Sequence, residues 1–327
     1  MIAHQPASAE VSTNQIKIRR PKIGLALSGG GARGSAHMGV LRTLERAEIG
    51  YDLMAATSIG ALAGLIHCCG YTADYMIEAC KRELMPSWWL SRIPGGVYLH
   101  LTRLIRPGGI AKGIHRYIGH DCRLEELPTP LYITATDLIS GELVVQDRGC
   151  AVKALMASMS LPGMTSPVAE SHRLLVDGGV LNNLPGEVLR DRGADIVIGV
   201  DISGQPSVDA PWSFGRRPGM VGTLSRSLQL MSRRRHEEEL AACDIVIRPQ
   251  LSDIGFTAFK EVDRLADAGS LAAEAVLDDI RRLIETKTSS RANDSQNTVA
   301  TAITGDFCQG EAIGPWPTLE VTLTPPT

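Results

Sequence analysis

One serine, one aspartate and a cluster of glycines are the residues of this 327-residue chain whose types and spacing suit chemistry. Ser58 stands in Ala56-Thr57-Ser58-Ile59-Gly60, between a short apolar run and an apolar helical stretch. A serine at a strand-to-helix turn fits a nucleophile elbow, G-x-S-x-G in its usual form, where small neighbours let the backbone pass close by. It fits a plain helix N-cap equally well. Ala56 takes the place of the first glycine. A left-handed conformation there would cost alanine about 1–2 kcal/mol; if the position asks only for smallness, alanine is the next best residue. Asp177 opens Asp177-Gly178-Gly179 at the end of another apolar run. An aspartate before glycines is a common turn, and it is also a carboxylate placed to take a proton from a serine.

The third feature is Gly29-Gly30-Gly31-Ala32-Arg33-Gly34, between a strand and a helix. Glycines permit close backbone approach, and a helix start presents unpaired N–H groups at the positive end of its dipole. Such a turn suits an anion, either a phosphate or a transient oxyanion. A dinucleotide fingerprint would need an acidic residue at the end of the second strand; Asp52 precedes that strand. A P-loop would need Lys-Ser/Thr after Gly34, where the chain has Ser35-Ala36. No nucleotide is expected.

These features need elements to hold them. Ile23–Leu27 is a short apolar run stopped by Ser28 and glycines, hence a strand. Met38, Leu41, Leu44 and Ala47 recur on one side of a following helix. Residues 53–57 form a second strand, and 59–66, apolar all round, a buried helix. Residues 86–109, with two of the four tryptophans, are rich in Pro and Gly and read as a loop insertion. Strands follow at 131–136, 143–145, 174–176, 196–200 and 245–247, with helices near 150–159 and 185–192. A Pro/Gly-rich loop covers 203–219, a charged helix runs through 233–239, and one long final helix carries Val262, Leu265, Ala266, Val276, Ile280 and Leu283. Alternating strands and helices imply an α/β fold with a largely parallel central sheet flanked by helices. Residues 1–19 are expected to be a flexible arm, 20–286 a single domain and 287–327 a disordered tail.

Composition narrows the function. A formal charge of −3 argues against a nucleic-acid binder. The seven cysteines are odd in number and form no C-x-x-C pair, so reduced thiols and a cytoplasmic setting are expected. No metal site is expected: His67 beside Cys68 lacks a second spaced pair. The N-terminus has no signal-peptide core and no apolar run is long enough to span a bilayer.

The glycine turn, the elbow and the D-G-G stretch, in that order, resemble the patatin-like phospholipases, in their bacterial and neuropathy-target-esterase-like branch. Ala157-Ser158-Met159-Ser160-Leu161-Pro162 and Asp177-Gly178-Gly179-Val180-Leu181-Asn182-Asn183-Leu184-Pro185 extend the resemblance, which covers roughly residues 22–202. It implies a patatin-like domain that hydrolyses lipid esters (phospholipase A or lysophospholipase chemistry) through an acyl-enzyme, without a cofactor. It also implies a Ser58–Asp177 dyad with no histidine. Two histidines bear on that: His236, between three arginines and three glutamates, reads as a solvated helix face, and His37 as a helix-surface residue. The N–H groups of Gly29, Gly30 and Gly31 are the expected oxyanion donors, with Arg33 bracing the turn, meeting a lipid phosphate or forming a structural ion pair. Phospholipids, lysophospholipids or other acyl esters are the expected substrates, and Trp88 and Trp89 are candidates for peripheral membrane contact. Because of Ala56, the alternative is a catalytically weak acyl-lipid-binding or regulatory protein of the same fold.

Overall fold

In the computed structural model the described residues are 20–84, 107–203, 220–251 and 261–305. Contacts gather Pro21–Glu285 into one unit; Met1–Arg20 and Thr286–Thr327 form another. The hub of the first unit is β1 (Ile23–Leu27), buried at every position. A strand with both faces covered must be apolar throughout, and Ile-Gly-Leu-Ala-Leu is. Parallel neighbours lie on both sides: β2 (Leu53–Ala56) and β7 (Ile196–Val200). Beyond them β3 (Leu131–Asp137) pairs parallel with β2, and β8 (Ile245–Ile247) parallel with β7. The eight-stranded sheet is completed by β4 (Leu143–Gln146), β5 (Val168–Glu170) and β6 (Arg173–Asp177), all joined antiparallel around β3.

Register brings the chemistry-bearing residues together. Ala56 ends β2 opposite Leu27, the end of β1, so the glycine turn and Ser58 leave the same edge of the sheet. β3 runs on past its partnership with Ala56 at Ile133, and β6 returns along it to set Asp177 opposite Ala135.

Helices cover the sheet. α1 (Ser35–Arg46) follows the glycine turn, α2 (Ile59–Cys68) follows Ser58, and α3 (Ala73–Leu84) and α4 (Pro107–Ile118) come next. α5 (Ala151–Ser158) and α6 (Gly186–Asp191) precede α7 (Met220–Ala241), α8 (Val262–Glu274) and α9 (Leu277–Gly305). α1 and α8 cross backbone to backbone. A Cβ on Gly39 would overlap the Ala266 carbonyl, and one on Gly269 would overlap that of Ala36.

Some expectations need correction. The single long final helix is two, α8 and α9, parted at Ala275 and Val276. Regular structure was expected to stop near 287, but α9 continues to Gly305. The polar residues after 287 include no Gly or Pro before Gly305, so nothing in the backbone breaks the helix. Within that second unit Arg291 Nη1 donates to the Arg20 carbonyl at 3.3 Å. α4 begins inside the stretch 86–109 expected to be loop, with Pro107 at its first position, where a missing N–H matters least. Trp88, Trp89, residues 1–19, 306–327 and most of the 203–219 loop lie outside the described residues.

Candidate active site

Ser58 occupies the sharp turn between β2 and α2 with φ 55° and ψ −123°. A positive φ at a non-glycine residue is strained and persists only where the surroundings enforce it. Thr57 supplies part of that enforcement: its N–H donates to the Leu27 carbonyl at 3.1 Å. Its hydroxyl donates to the Asn182 carbonyl at 3.1 Å and lies 2.7 Å from Thr134 Oγ1. From the other side the Ser58 N–H donates to the hydroxyl of Ser158, at the end of α5, at 2.8 Å. The Ser58 side chain makes no helix-capping bond. Its Oγ donates instead to Asp177 Oδ2 at 2.6 Å.

Asp177 ends β6 and is 4% exposed. Its other oxygen accepts from the Gly179 N–H at 2.8 Å, inside the D-G-G turn. Burial favours the neutral acid and pushes Asp177 up to about 6, although the bonds from Ser58 and Gly179 pull the other way.

The residue that departed from the elbow pattern falls within a strand. Ala56 ends β2 in register with Leu27 and Ile133, is fully buried, and has no positive φ. Smallness is therefore what the position requires. Close packing accounts for the other elbow and D-G-G glycines: a Cβ on Gly60 would sit 2.6 Å from the Ser28 carbonyl oxygen, and one on Gly178 would sit 2.7 Å from that of Thr134.

The glycine turn is a 3-10 turn, Gly31–Gly34, leading into α1, and Gly31 has φ 61°. Its donors are not equivalent. The Gly29 N–H already donates to the Asn183 carbonyl at 3.2 Å, so Gly29 drops out of the expected donor set. Gly30 and Gly31 N–H groups have no acceptor among the described residues. Arg33 braces the turn: its Nη1 donates to the Ser203 carbonyl at 2.8 Å. Gly34 packs against Ile59 at the start of α2.

Both histidine expectations are overturned. His37 is fully buried, with Nε2 2.8 Å from the Ser28 carbonyl, and burial pushes it down to about 4. It is a neutral core imidazole on the inner face of α1. His236 is not on a solvated face either. It lies between two buried carboxylates, 3.1 Å from Asp201 Oδ2 and 3.1 Å from Glu239 Oε2. Burial opposes its charge, but the two carboxylates outweigh that and lift it to about 9. Glu239 is the buried one in a run of three glutamates, and the spacing His236, Glu239, Cys243 was the available sign of an inward face. Neither histidine contacts Ser58 or Asp177. Ser158, Asn183, Asp201 and Glu239 were given no role from sequence; Ser158 and Asn183 at least stood in stretches that carried the resemblance.

The six cysteines among the described residues are free thiols, and no group of three His, Cys, Asp or Glu side chains among those residues is arranged to hold a metal ion. No helix among them is long and apolar enough to cross a membrane.

A family model for patatin-like phospholipases matches residues 25–190. An uncharacterised NTE family protein of Mycobacterium tuberculosis is 31% identical over 296 residues, covering 84% of this chain and 50% of that protein. The neuropathy target esterase sws of Drosophila melanogaster is 29% identical over 271 residues, covering 76% of this chain and 19% of that protein. The chain thus spans about half the length of the first of these relatives and far less of the second. Among solved structures, VipD from Legionella pneumophila is similar with a TM-score of 0.48 at 13% identity, over 80% of this chain and 67% of that one. Human GIVD cytosolic phospholipase A2 gives a TM-score of 0.46 at 11% identity, over 82% and 60%.

Proposed function

The chain belongs to the patatin-like phospholipase family, in its NTE-like branch, and on that premise we propose that it hydrolyses lipid carboxylic esters with Ser58 as nucleophile and Asp177 as base. The observation that carries this reading is the 2.6 Å bond from the Ser58 hydroxyl, on a strained turn, to the buried Asp177 carboxylate. An ordinary aspartate is a weak base for a hydroxyl. One lifted to about 6 is stronger and still ionised above neutrality.

In the proposed reaction Asp177 Oδ2 takes the hydroxyl proton as Ser58 Oγ attacks the ester carbonyl carbon. Negative charge moves to the carbonyl oxygen, which the free N–H groups of Gly30 and Gly31 receive. Collapse expels the alcohol, lysolipid or head-group side of the ester, protonated by Asp177, and leaves an acyl group on Ser58. Water then attacks the acyl carbon while Asp177 takes one of its protons; collapse breaks the bond to Ser58 Oγ, which takes that proton back from Asp177, and the fatty acid is released. The start of α2 beside Ser58 favours the negative charge that develops on its oxygen. Phospholipids and lysophospholipids are the proposed substrate class, and the Trp88-Trp89 stretch the proposed membrane contact.

The weak-binder alternative rested on Ala56 and loses its support, because that residue has ordinary strand geometry. The test is hydrolysis of a short p-nitrophenyl ester, together with labelling by a fluorophosphonate. Ser58→Ala should abolish both, and Asp177→Asn should abolish turnover, with circular dichroism unchanged. Wild-type rates in either variant would refute the reading. A panel of phospholipids, lysophospholipids and triacylglycerols with wild type and Ser58→Ala then identifies the substrate.

A further inference from the structure

Two hydrogen-bonded chains run from His236 to the two ends of the glycine turn. The first passes through Glu239, whose carboxylate accepts from the N–H groups of Asn183 at 2.8 Å and Leu184 at 3.1 Å. Asn183 in turn holds Gly29 on both sides: its carbonyl accepts from the Gly29 N–H, and its Nδ2 donates to the Gly29 carbonyl at 3.3 Å. A Cβ at Gly29 would be 2.6 Å from Asn183 Oδ1 and 3.2 Å from Ser58 Cβ, so Gly29 is wedged between that loop and Ser58. The second chain passes through Asp201, just after β7. Asp201 Oδ1 accepts from the Ser203 N–H at 3.0 Å and from its hydroxyl at 2.6 Å, and the Ser203 carbonyl receives Arg33. Gly30 and Gly31, with their free N–H groups, lie between the two anchored ends.

We propose that His236, as a doubly protonated imidazolium, is a positioning residue that holds the glycine turn and the loop after the D-G-G stretch in the geometry that receives the oxyanion. The proposal rests on the reading of Ser58 and Asp177 given above. The chemistry is that of a two-carboxylate bridge: both ring nitrogens must donate, so both must carry protons. If either proton is lost, a lone pair faces a buried carboxylate and one arm of the bridge repels.

The surrounding charges do not take over the task. Asp201 is also met by Arg248 Nε at 3.7 Å and lies within the field of Arg33. Neither cation bridges to Glu239 in the contacts of that carboxylate, which are His236, Asn183 and Leu184. Cys243, beside Glu239 on α7, is pushed up to about 12 by burial, and His37 is neutral. Near neutral and mildly alkaline pH, His236 is the group here that titrates, with its loss of charge centred at about 9.

The experiment compares wild type, Ser58→Ala, His236→Ala and His236→Lys in hydrolysis of a p-nitrophenyl ester from pH 5 to 10.5. The expected wild-type kcat falls through about pH 9. His236→Ala should lower kcat at pH 7.5 by up to ~100-fold, the cost of a roughly 1 Å misplacement of a catalytic group, with KM within about twofold, and should lose the alkaline limb. His236→Lys, which keeps a cation to a higher pH, should recover part of kcat and move that limb upward. If Ser58→Ala is inactive but His236→Ala keeps the wild-type kcat and pH profile, this proposal fails while the functional reading stands. If Ser58→Ala is fully active, the reading fails. The bridge then has its own readout in hydrogen exchange of wild type: protection at Gly29, Asn183 and Leu184, corrected for intrinsic rates, should drop above pH 9. Unchanged protection there overturns the bridge, and this measurement also decides the matter if His236→Ala does not fold.

Discussion

Asp177 ends β6 and Asp201 directly follows β7, and both are buried, yet their surroundings are opposite. Asp177 has hydrogen bonds from neutral groups alone, a serine hydroxyl and a backbone N–H, and burial raises its proton affinity. Burial would raise Asp201 too, but the His236 cation and the Ser203 donors outweigh it and hold the carboxyl below its ordinary value. One carboxylate, the proposed base, has no cation at contact distance among the described residues. The other is kept inert by being neutralised. The difference teaches that strand-end aspartates in one fold take their roles from their partners rather than from their burial.

That contrast can be broken in several ways, beginning with the largest effect. Ser58→Ala or Asp177→Asn is expected to lower ester turnover by at least ~1,000-fold, since the proposed nucleophile and base would act as a unit; Asp201→Asn should lower it far less. A loss of equal size at Asp201 would put both carboxylates in the chemistry. Next comes His236→Ala, which leaves Glu239 buried without its cation and Asp201 with the more distant Arg248, and should destabilise the fold by roughly 3–5 kcal/mol in urea unfolding at pH 7. The pH signature follows from its raised value. The stability due to His236 is fully present below about 6.5 and lost as pH rises through about 9.

Asp177 behaves in the reverse sense. The unfolded chain releases that proton at its ordinary value near 3.8 and the folded chain at about 6, so stability falls as pH rises across that window. Two units correspond to about 2–3 kcal/mol. Asp177→Asn should regain up to that much at pH 8, in the same variant that loses activity; a fall in melting temperature there would show that the carboxylate is not strained by its surroundings. The smallest effect is expected at Ala56→Gly, which restores the usual elbow pattern. In a strand with ordinary φ this should reduce stability by about 0.5–1 kcal/mol and leave kcat within a few-fold.

The Asp177 half of this comparison was legible in the sequence and the Asp201 half was not. Ser58 and Asp177 each stand at the end of a short apolar run beside glycines, so local pattern alone places them at strand ends. The order of the motifs then suggests that they meet. The α/β class and the parallel core of the sheet were legible for the same reason, from short all-apolar strands separated by helices. His236 and Glu239 sit in Arg233-Arg234-Arg235-His236-Glu237-Glu238-Glu239, whose composition is that of a solvated surface. What buries them is the approach of β7 and the Asn182–Leu184 loop, contacts separated by tens of residues that no local window contains. His37 differs: its partner, the Ser28 carbonyl just after β1, is only nine residues away, but a helical surface position and a buried one have the same local composition there. Backbone strain at Ser58 and the occupied N–H of Gly29 depend on long-range bonds to Ser158 and Asn183, and spacing cannot reveal them.

The crossing of α1 over α8 at Gly39 and Gly269 has a consequence for how this fold can be cut and joined. The family match ends at residue 190, but the helix that launches from the glycine turn is seated, carbonyl to Cα, on a helix more than seventy residues further along. β7, which also lies beyond the match, covers the other flank of β1. A gene fragment ending at 190 would therefore carry both residues of the proposed dyad and still lack the seat for the helix that follows the glycine turn. Grafted into another protein, it would bring Ser58 without the frame that holds its turn. The smallest transplantable piece must run at least through Glu274, and the two glycines leave it no slack for a single added methyl group.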